Sequence, residues 1–204
     1  MIRNIVFDIG MVLADFRWKE YMLKDLGFSP EVMDVFAKRL VLSPLWDEFD
    51  LGIRPTDEII AEMKKQLPEY PKERELFFSR IEDIAVSYPY SEAWIRDLKE
   101  RGCAVYLLSN YPRRTYRIHE KKHFGFAALV DGKVVSGFER VSKPDPAIYR
   151  ILLERYQLKA EECVFIDDRQ VNIDTALSLG MQGIVFTSYE DAKNKLNALL
   201  RAVT

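Results

Sequence analysis

Residues 4–16 read NIVFDIGMVLADF, and this stretch decides the fold. Its first four residues form a short apolar run, which is typical of a strand buried on both faces of a parallel sheet. Asp8 follows at the carboxyl end of the predicted strand, and Gly10 stands two residues further along. Ligands of open α/β sheets bind outside the carboxyl ends of the strands. The stretch therefore predicts a strand that delivers a carboxylate to a ligand site.

Three later segments are also short, continuous apolar runs, and amphipathic helical stretches lie between them. These runs are AVYLL at 104–108, CVFI at 163–166 and GIVF at 183–186. Alternation of strand and helix predicts an α/β fold, namely a doubly wound, mainly parallel sheet with helices on both faces. The segment DGKVV at 131–135 predicts a small hairpin turn instead.

Residues 16–88 have a different pattern, because their apolar side chains recur at helical spacing, as in Val32, Val35, Phe36 and Leu40. No good strand is expected among them. The sequence thus predicts two domains: an α/β core made of residues 1–15 and 89–204, and an inserted α-helical cap made of residues 16–88.

Charge and composition narrow the classes of partner. The net charge of the 204 residues is −2, which offers no electrostatic reason to bind nucleic acid or an anionic membrane. No apolar run is long enough for a membrane span, and no signal peptide is apparent. Cys103 and Cys163 form no C-x-x-C pair and are expected to be reduced. We expect a cytoplasmic monomer or weak homodimer whose partner is a small molecule.

Polar residues end the predicted strands. Ser109 and Asn110 follow the second run, Asp167 and Asp168 follow the third, and Lys143 lies in SKPDP, just before a predicted helix. We expect these groups to meet Asp8 at one edge of the sheet.

The chemistry of this set favours phosphoryl transfer. A cluster of Asp8, Asp167 and Asp168 is an all-oxygen site that suits Mg²⁺. The cation and Lys143 would offset the repulsion between the carboxylates and keep Asp8 ionised. Lys143 and the Ser109 hydroxyl then hold a phosphoryl group, while Asp8 acts as the nucleophile.

Four segments in this order resemble the motifs of the haloacid dehalogenase superfamily. They are VFDIGMVL at 6–13, LLSN at 107–110, SKPDPAIY at 142–149 and FIDDRQVNIDTALSLG at 165–180. The first, with a helical block directly after it, is similar to a phosphatase branch that includes α-D-glucose-1-phosphate phosphatases.

The resemblance implies a role for each site residue. Asp8 is the nucleophile, and Ser109 and Lys143, with Asn110 beside them, bind the phosphoryl group. Asp167 and Asp168 are metal-site acids, and the backbone carbonyl of Gly10 is a further Mg²⁺ ligand. Asn172 braces the fourth motif, and the helical cap closes over the site and selects the substrate.

Gly10 departs from the family pattern, because most phosphatases of the superfamily have a second aspartate there as general acid and base. We therefore expect a substrate whose leaving group needs little protonation, such as a hexose 1-phosphate. Otherwise a bound water or an acid of WDEFDLG, namely Asp47, Glu48 or Asp50, would supply the proton. Two alternatives stay open. A haloacid dehalogenase would also lack the second acid, although the Asp167–Asp168 pair speaks against it. A non-catalytic binding protein would not need the complete remaining site.

His119 to His123 reads HEKKH and matches the H-E-x-x-H pattern of zinc peptidases. These are the only two histidines of the chain, and the surrounding stretch is crowded with charge. We therefore expect this segment to be a solvated helix face.

Overall fold

The computed structural model describes residues 1–201, and its centre is a five-stranded sheet in which all neighbouring strands run parallel. The strand order is β5-β4-β1-β6-β7. The strands are β1 (Asn4–Phe7), β4 (Ala104–Ser109), β5 (Gly132–Val135), β6 (Cys163–Asp167) and β7 (Gln182–Val185). The α/β fold class predicted from the alternation of strands and helices is confirmed.

Strand β1 lies between β4 and β6, and its residues are paired on both sides. Phe7 is opposite Leu107 of β4 and Ile166 of β6. Because the strands are parallel and in this register, the residues that follow their last pairs all emerge at one edge of the sheet. This edge is where Asp8 lies.

Both faces of the sheet are covered, which explains why the strands are continuous apolar runs. Ile5 and Phe7 belong to the larger core cluster, where Phe7 contacts the ring of Trp94 edge-to-face. Val6, whose side chain points the opposite way, belongs to a second cluster with Phe165 and Leu152. All of these side chains are fully buried.

Helices connect the strands. The α/β part contains α6 (Ser91–Glu100), α7 (Arg113–Lys122), α8 (Ser136–Glu139), α9 (Pro146–Arg155), α10 (Gln170–Ser178) and α11 (Tyr189–Arg201). Helix α9 begins as its sequence predicts, since the Asp145 side chain accepts a hydrogen bond from the Ala147 amide and Pro146 occupies the first turn. Within residues 1–201, every helix is too short or too polar to cross a membrane.

The segment between residues 18 and 83 is helical. It contains α1 (Trp18–Glu20), α2 (Pro30–Phe36), α3 (Pro44–Leu51), α4 (Thr56–Lys65) and α5 (Pro71–Ser79). Two π-helical turns, Tyr21–Asp25 and Ala37–Val41, continue α1 and α2, and a 3-10 turn, Ile81–Asp83, ends the segment. The segment joins the α/β part through an antiparallel pair, β2 (Ala14–Phe16) and β3 (Ala85–Ser87).

Two local predictions were wrong. DGKVV does not form a hairpin, because Gly132–Val135 pairs in parallel with β4 as an edge strand. Asp131, directly before this strand, makes two hydrogen bonds with Val105. Its amide donates to the Val105 carbonyl, and its carboxylate accepts from the Val105 amide. The strand Ala85–Ser87 was also missed, since three residues are too few to show a period.

Candidate active site

The predicted polar residues meet at the carboxyl edge of the sheet. Asp8 directly follows β1, Ser109 is the last residue of β4, and Asp167 is the last residue of β6. Asp168 extends the β6 edge into the loop before α10. The side chains of Asp8, Ser109 and Asp167 are buried, whereas Asp168 is exposed.

Lys143 is the cation of the site. Its Nζ lies 2.9 Å from Asp8 Oδ1 and 2.6 Å from Asp167 Oδ2. The residue is only 3 % exposed, so these two carboxylates replace its water shell. Burial acts to lower the pKa of the Lys143 ammonium, but Asp8 and Asp167 together raise it above its ordinary value. Lys143 is therefore charged in the folded protein.

The carboxylate of Asp167 is saturated with hydrogen bonds. Asn172 Nδ2 donates to both of its oxygens, at 2.9 and 3.0 Å. The Arg169 amide donates to Oδ1 at 2.8 Å, and Lys143 donates to Oδ2. Asp167 thus connects Lys143 with Asn172, and the bracing role of Asn172 stays a prediction.

Asp8 has one engaged and one open oxygen. Its Oδ1 accepts hydrogen bonds from the Ile9 amide, at 2.7 Å, and from Lys143. No hydrogen bond or ion pair reaches Oδ2 from residues 1–201. Burial raises the pKa of Asp8 above its ordinary value, Lys143 opposes this effect and the charge of Asp167 adds to it. A further positive charge beside Asp8 would hold it in the ionised form.

The acidic cluster fits a divalent cation. One carboxylate oxygen each from Asp8, Asp167 and Asp168 lies within 4.8 Å of the others. Three carboxylates against the single ammonium of Lys143 leave an excess of negative charge, and burial and Asp167 raise the pKa of Asp168. Hard oxygen donors in this number suit Mg²⁺, which keeps several of its waters. Asp168 and Asp8 have carboxylate oxygens without a hydrogen-bond partner among residues 1–201, whereas both oxygens of Asp167 are bonded to neighbouring residues of the protein.

Asn110 holds the loop that carries Lys143. Its Nδ2 donates to the Lys143 carbonyl at 2.9 Å, and its Oδ1 accepts from the Lys143 amide at 2.8 Å. This paired contact across the site was not foreseen from the sequence, where Asn110 was expected only to bind phosphate. Its signal is faint, because an asparagine after a strand is usually read as a turn former.

A cavity of about 170 Å³ opens above these residues. Its floor contains Asp8, Gly10, Ser109, Asn110 and Asp168. Its walls are mostly apolar and come from both parts of the chain; they include Phe16, Trp46, Phe49, Ile81, Ile84, Tyr111 and Pro112. One acid of the helical segment, Asp50, also lines it. Among residues 1–201, the Ser109 hydroxyl has no hydrogen-bond partner, so it is available to a ligand.

The HEKKH segment lies on α7, and the expectation of a solvated face was wrong for His119. This histidine is completely buried. Its ring bonds to Tyr111 Oη at 2.5 Å and to the Glu82 carbonyl at 2.8 Å. In the part of the chain that the structure describes, the one metal-like group of acids, cysteines and histidines is Asp8, Asp167 and Asp168. His119 therefore has a packing role, and the charged side chains around it concealed this in the sequence.

Comparisons with known proteins agree with this geometry. A model of the haloacid dehalogenase-like hydrolases matches residues 2–180. A sesquiterpene phosphatase from Aspergillus oryzae is 27% identical over 187 residues, which cover 89% of this chain and 88% of that protein. Among solved structures, a family enzyme from Bacteroides thetaiotaomicron in complex with magnesium and inorganic phosphate is similar with a TM-score of 0.72. It is 22% identical, and the match covers 96% of this chain and 99% of that one.

A dehalogenase is structurally just as similar. Its TM-score is 0.73 at 18% identity, with 97% of this chain and 96% of the other covered. These likenesses show a shared fold only. The chemistry must be argued from the residues at the edge of the sheet.

Proposed function

The chain belongs to the haloacid dehalogenase-like hydrolase family, and from this premise we propose that it is a Mg²⁺-dependent phosphatase of small phosphate monoesters. The observation that carries the proposal is the grouping of three carboxylates near one buried lysine below a cavity. A dehalogenase, which attacks carbon, has no need of an acid pair such as Asp167–Asp168. Phosphoryl transfer needs this excess of negative charge, because it is the binding site of the divalent cation.

Each site residue has a separate role in this mechanism. Asp8 attacks phosphorus, and an aspartyl phosphate forms while the ester oxygen leaves. Lys143 holds Asp8 in place and, with the Ser109 hydroxyl, binds the phosphoryl oxygens. Asp8, Asp168 and the Gly10 carbonyl, supported by Asp167, would hold Mg²⁺, which would neutralise the charge of the phosphoryl oxygens. Water then hydrolyses the aspartyl phosphate and regenerates Asp8.

The helical segment acts as a cap in this proposal. Trp46, Phe49 and Ile81 of that segment form walls of the cavity above Asp8. A substrate enclosed by these side chains is shielded from water, and its product leaves when the cap moves away. This role corresponds to the cap domain at residues 16–88, whose boundaries remain a prediction.

The walls favour an apolar alcohol as the leaving part of the substrate. A hexose has several hydroxyl groups, and each one buried without a partner costs about 1–3 kcal/mol. The walls above the floor offer Asp50, Thr115 and Tyr111 as polar side chains, and Tyr111 is already bonded to His119. The sesquiterpene phosphatase of Aspergillus oryzae supports the same class by its name. The hexose 1-phosphate expected from the sequence therefore stays a prediction with less support.

The first cavity limits the size of the apolar group. A second cavity, of about 380 Å³, shares Phe49, Ile81 and Thr115 with the first. A cavity of about 150 Å³ already holds a benzene-sized molecule, so the first cavity alone suits a six-membered ring or a short chain. The lining of the second cavity includes the charged side chains of Asp57, Lys64, Glu75, Glu82 and Arg114, so it does not favour an extension of the apolar group.

A panel of matched esters, assayed with Mg²⁺ and with EDTA, tests the proposal. We expect phosphate release from cyclohexylmethyl phosphate, its loss in EDTA, and its loss in Asp8→Asn, whose folding is checked by circular dichroism. Glucose 6-phosphate has a similar ring with hydroxyls and should react roughly tenfold more slowly or worse. A preference for glucose 1-phosphate would instead favour the sugar class. Chloride release from 2-chloropropionate would favour the dehalogenase, and full activity of Asp8→Asn would contradict the mechanism.

A further inference from the structure

The site lacks a proton donor where the family has its second aspartate. Position 10 is glycine, and Lys143 is charged but engaged by two carboxylates. An alkyl alcohol is a poor leaving group, so its oxygen must receive a proton as the bond to phosphorus breaks. Resting on the phosphatase proposal, we infer that Asp50, at the end of α3, is the general acid and base of this site.

The structure separates Asp50 from the two other acids of the same segment. Asp47 is exposed and does not line the cavity. Glu48 forms a two-pronged ion pair with Arg54, with N–O distances of 2.9 and 2.6 Å. Asp50 alone of the three lines the cavity with Asp8. Among residues 1–201, no hydrogen bond or ion pair engages its carboxyl group, so this group is free to bond to a ligand in the cavity.

The backbone around Asp50 is attached to the α/β part. Ser136 Oγ, at the start of α8, donates to the Asp50 carbonyl at 2.5 Å and accepts from the Tyr111 amide at 2.9 Å. Gly52, two residues later, lies so close to α8 that an added Cβ would be 2.7 Å from the Gly137 carbonyl. Asp50 thus has a defined position relative to the loop after β4, which carries Ser109.

The surroundings of Asp50 favour its protonated form. Burial raises its pKa well above the ordinary value, the negative charges of Asp47 and Asp8 raise it further, and Lys143 opposes them. The side chain retains some accessible surface because it faces the cavity. An aspartic acid in an apolar pocket beside an ionised carboxylate is the arrangement that separates a general acid from a nucleophile.

The two steps balance with one proton. In the first, Asp8 bonds to phosphorus, the bond from phosphorus to the ester oxygen breaks, and Asp50 gives its proton to that oxygen. The products are the free alcohol, aspartyl phosphate at Asp8 and an ionised Asp50. In the second, a water oxygen bonds to phosphorus, its proton returns to Asp50, and the bond from phosphorus to Asp8 breaks. Hydrogen phosphate leaves, and both aspartates return to their starting states.

Asp50→Asn tests this role with two esters of different leaving group. On cyclohexylmethyl phosphate, turnover should fall by about 10²- to 10⁴-fold, which is the usual contribution of general acid–base catalysis. On p-nitrophenyl phosphate the rate of the first step should decrease much less, because nitrophenolate leaves without a proton. The second step still lacks its base, so a burst of nitrophenolate equal to the enzyme concentration should precede slow turnover.

Two further variants make the result specific. Asp34→Asn, the control in the same helical segment, removes an exposed acid of α2 that does not line the cavity, and it should leave both rates unchanged. The double variant Asp50→Asn with Gly10→Asp should regain part of the alkyl activity, since an added Cβ at position 10 meets no atom within 4 Å. Thermal melting confirms that each variant is folded.

The outcomes separate this inference from the proposed function. Equal losses on both esters without a burst, or no loss at all, would overturn the role of Asp50 while leaving the phosphatase intact. A wild-type protein that hydrolyses no phosphate ester would remove the proposed function itself, and the role of Asp50 with it.

Discussion

His119 is a single residue that joins the loop after β4 to the helical segment. The Glu82 carbonyl can only accept, so His119 Nε2 must carry the hydrogen of that bond. Nδ1 is then the acceptor, and Tyr111 Oη donates to it. The bond from Tyr111 needs the neutral imidazole, since a protonated Nδ1 cannot accept, and burial lowers the pKa of His119 to about 4. This tautomer fixes Tyr111, which lines the cavity.

Acid should weaken this link before it affects most carboxylates. The folded pKa of about 4 lies below the ordinary 6.5, so the unfolded chain binds more protons between these values. The contribution of the neutral His119 ring to the free energy of unfolding is fully present above about pH 6.5 and is lost as the pH falls toward 4. The loss amounts to about 3 kcal/mol. We expect urea unfolding of His119→Gln to depend less on pH than that of the wild type in this window.

The control for this measurement is His123→Gln, because His123 is the only other histidine of the sequence. Glutamine can accept from Tyr111 and donate to Glu82, so His119→Gln keeps the hydrogen-bond pattern without an imidazole. Equal pH slopes in the wild type and His119→Gln would contradict the burial of a neutral histidine.

At the residue scale, the sequence predicted the groups that follow strands and missed those that depend on helix orientation. Asp8 and Ser109 emerge at one edge because parallel strands in register must end together. Asp50 could not be separated from Asp47, since three residues apart on a helix place both near one face. Only the close packing of α3 on α8 decides which acid faces the cavity.

The contact between α3 and α8 is the element on which the cavity wall depends. Helix α3 ends at Gly52, whose φ of +65° is the left-handed conformation that favours glycine. The same glycine touches the backbone of Gly137. Gly52 allows the helix end, and with it Asp50, to approach the backbone of α8 without a side chain between them, whereas the open side of Gly137 faces Tyr111 and Arg113.

Gly52→Ala should separate these elements and destabilise the protein more than its backbone angle alone requires. Gly27 is the matched control, because its φ is +69° and an added Cβ there meets nothing within 4 Å. Both substitutions incur the left-handed penalty of about 1–2 kcal/mol. The added clash in Gly52→Ala should cost a further 1–3 kcal/mol or so. Equal losses of unfolding free energy in the two variants would show that the close contact is not maintained in solution.

At the scale of the whole molecule, alternation of strands and helices was enough to predict the α/β class, because buried parallel strands must be apolar throughout. The pairing of β2 with β3 was beyond reach, since it joins residues about seventy positions apart through strands of three residues each. The edge strand β5 was misread for a similar reason: Asp131-Gly132 is a turn signal, and only the neighbouring β4 makes it a strand start.

The charge of the acidic cluster also affects the stability of the whole molecule. Asp8, Asp167 and Asp168 repel one another, and Lys143 compensates for only one of them. A divalent cation that binds the folded state alone should therefore raise the melting temperature. At a concentration one hundred times its dissociation constant, the gain is about 2.7 kcal/mol. For a chain of this size, each kcal/mol corresponds to roughly 2–4 °C.

Asp168→Asn should raise the melting temperature without Mg²⁺ and reduce the further increase that Mg²⁺ causes. Without Mg²⁺ the variant should melt at a higher temperature than the wild type, because one of the repelling charges is gone. With Mg²⁺ its melting temperature should rise much less, because an exposed carboxylate with open oxygens has been lost. Asp174→Asn, an exposed acid of α10 outside the cluster, is the matched control and should respond to Mg²⁺ like the wild type. An undiminished Mg²⁺ shift in Asp168→Asn would place the cation elsewhere and contradict the proposed site.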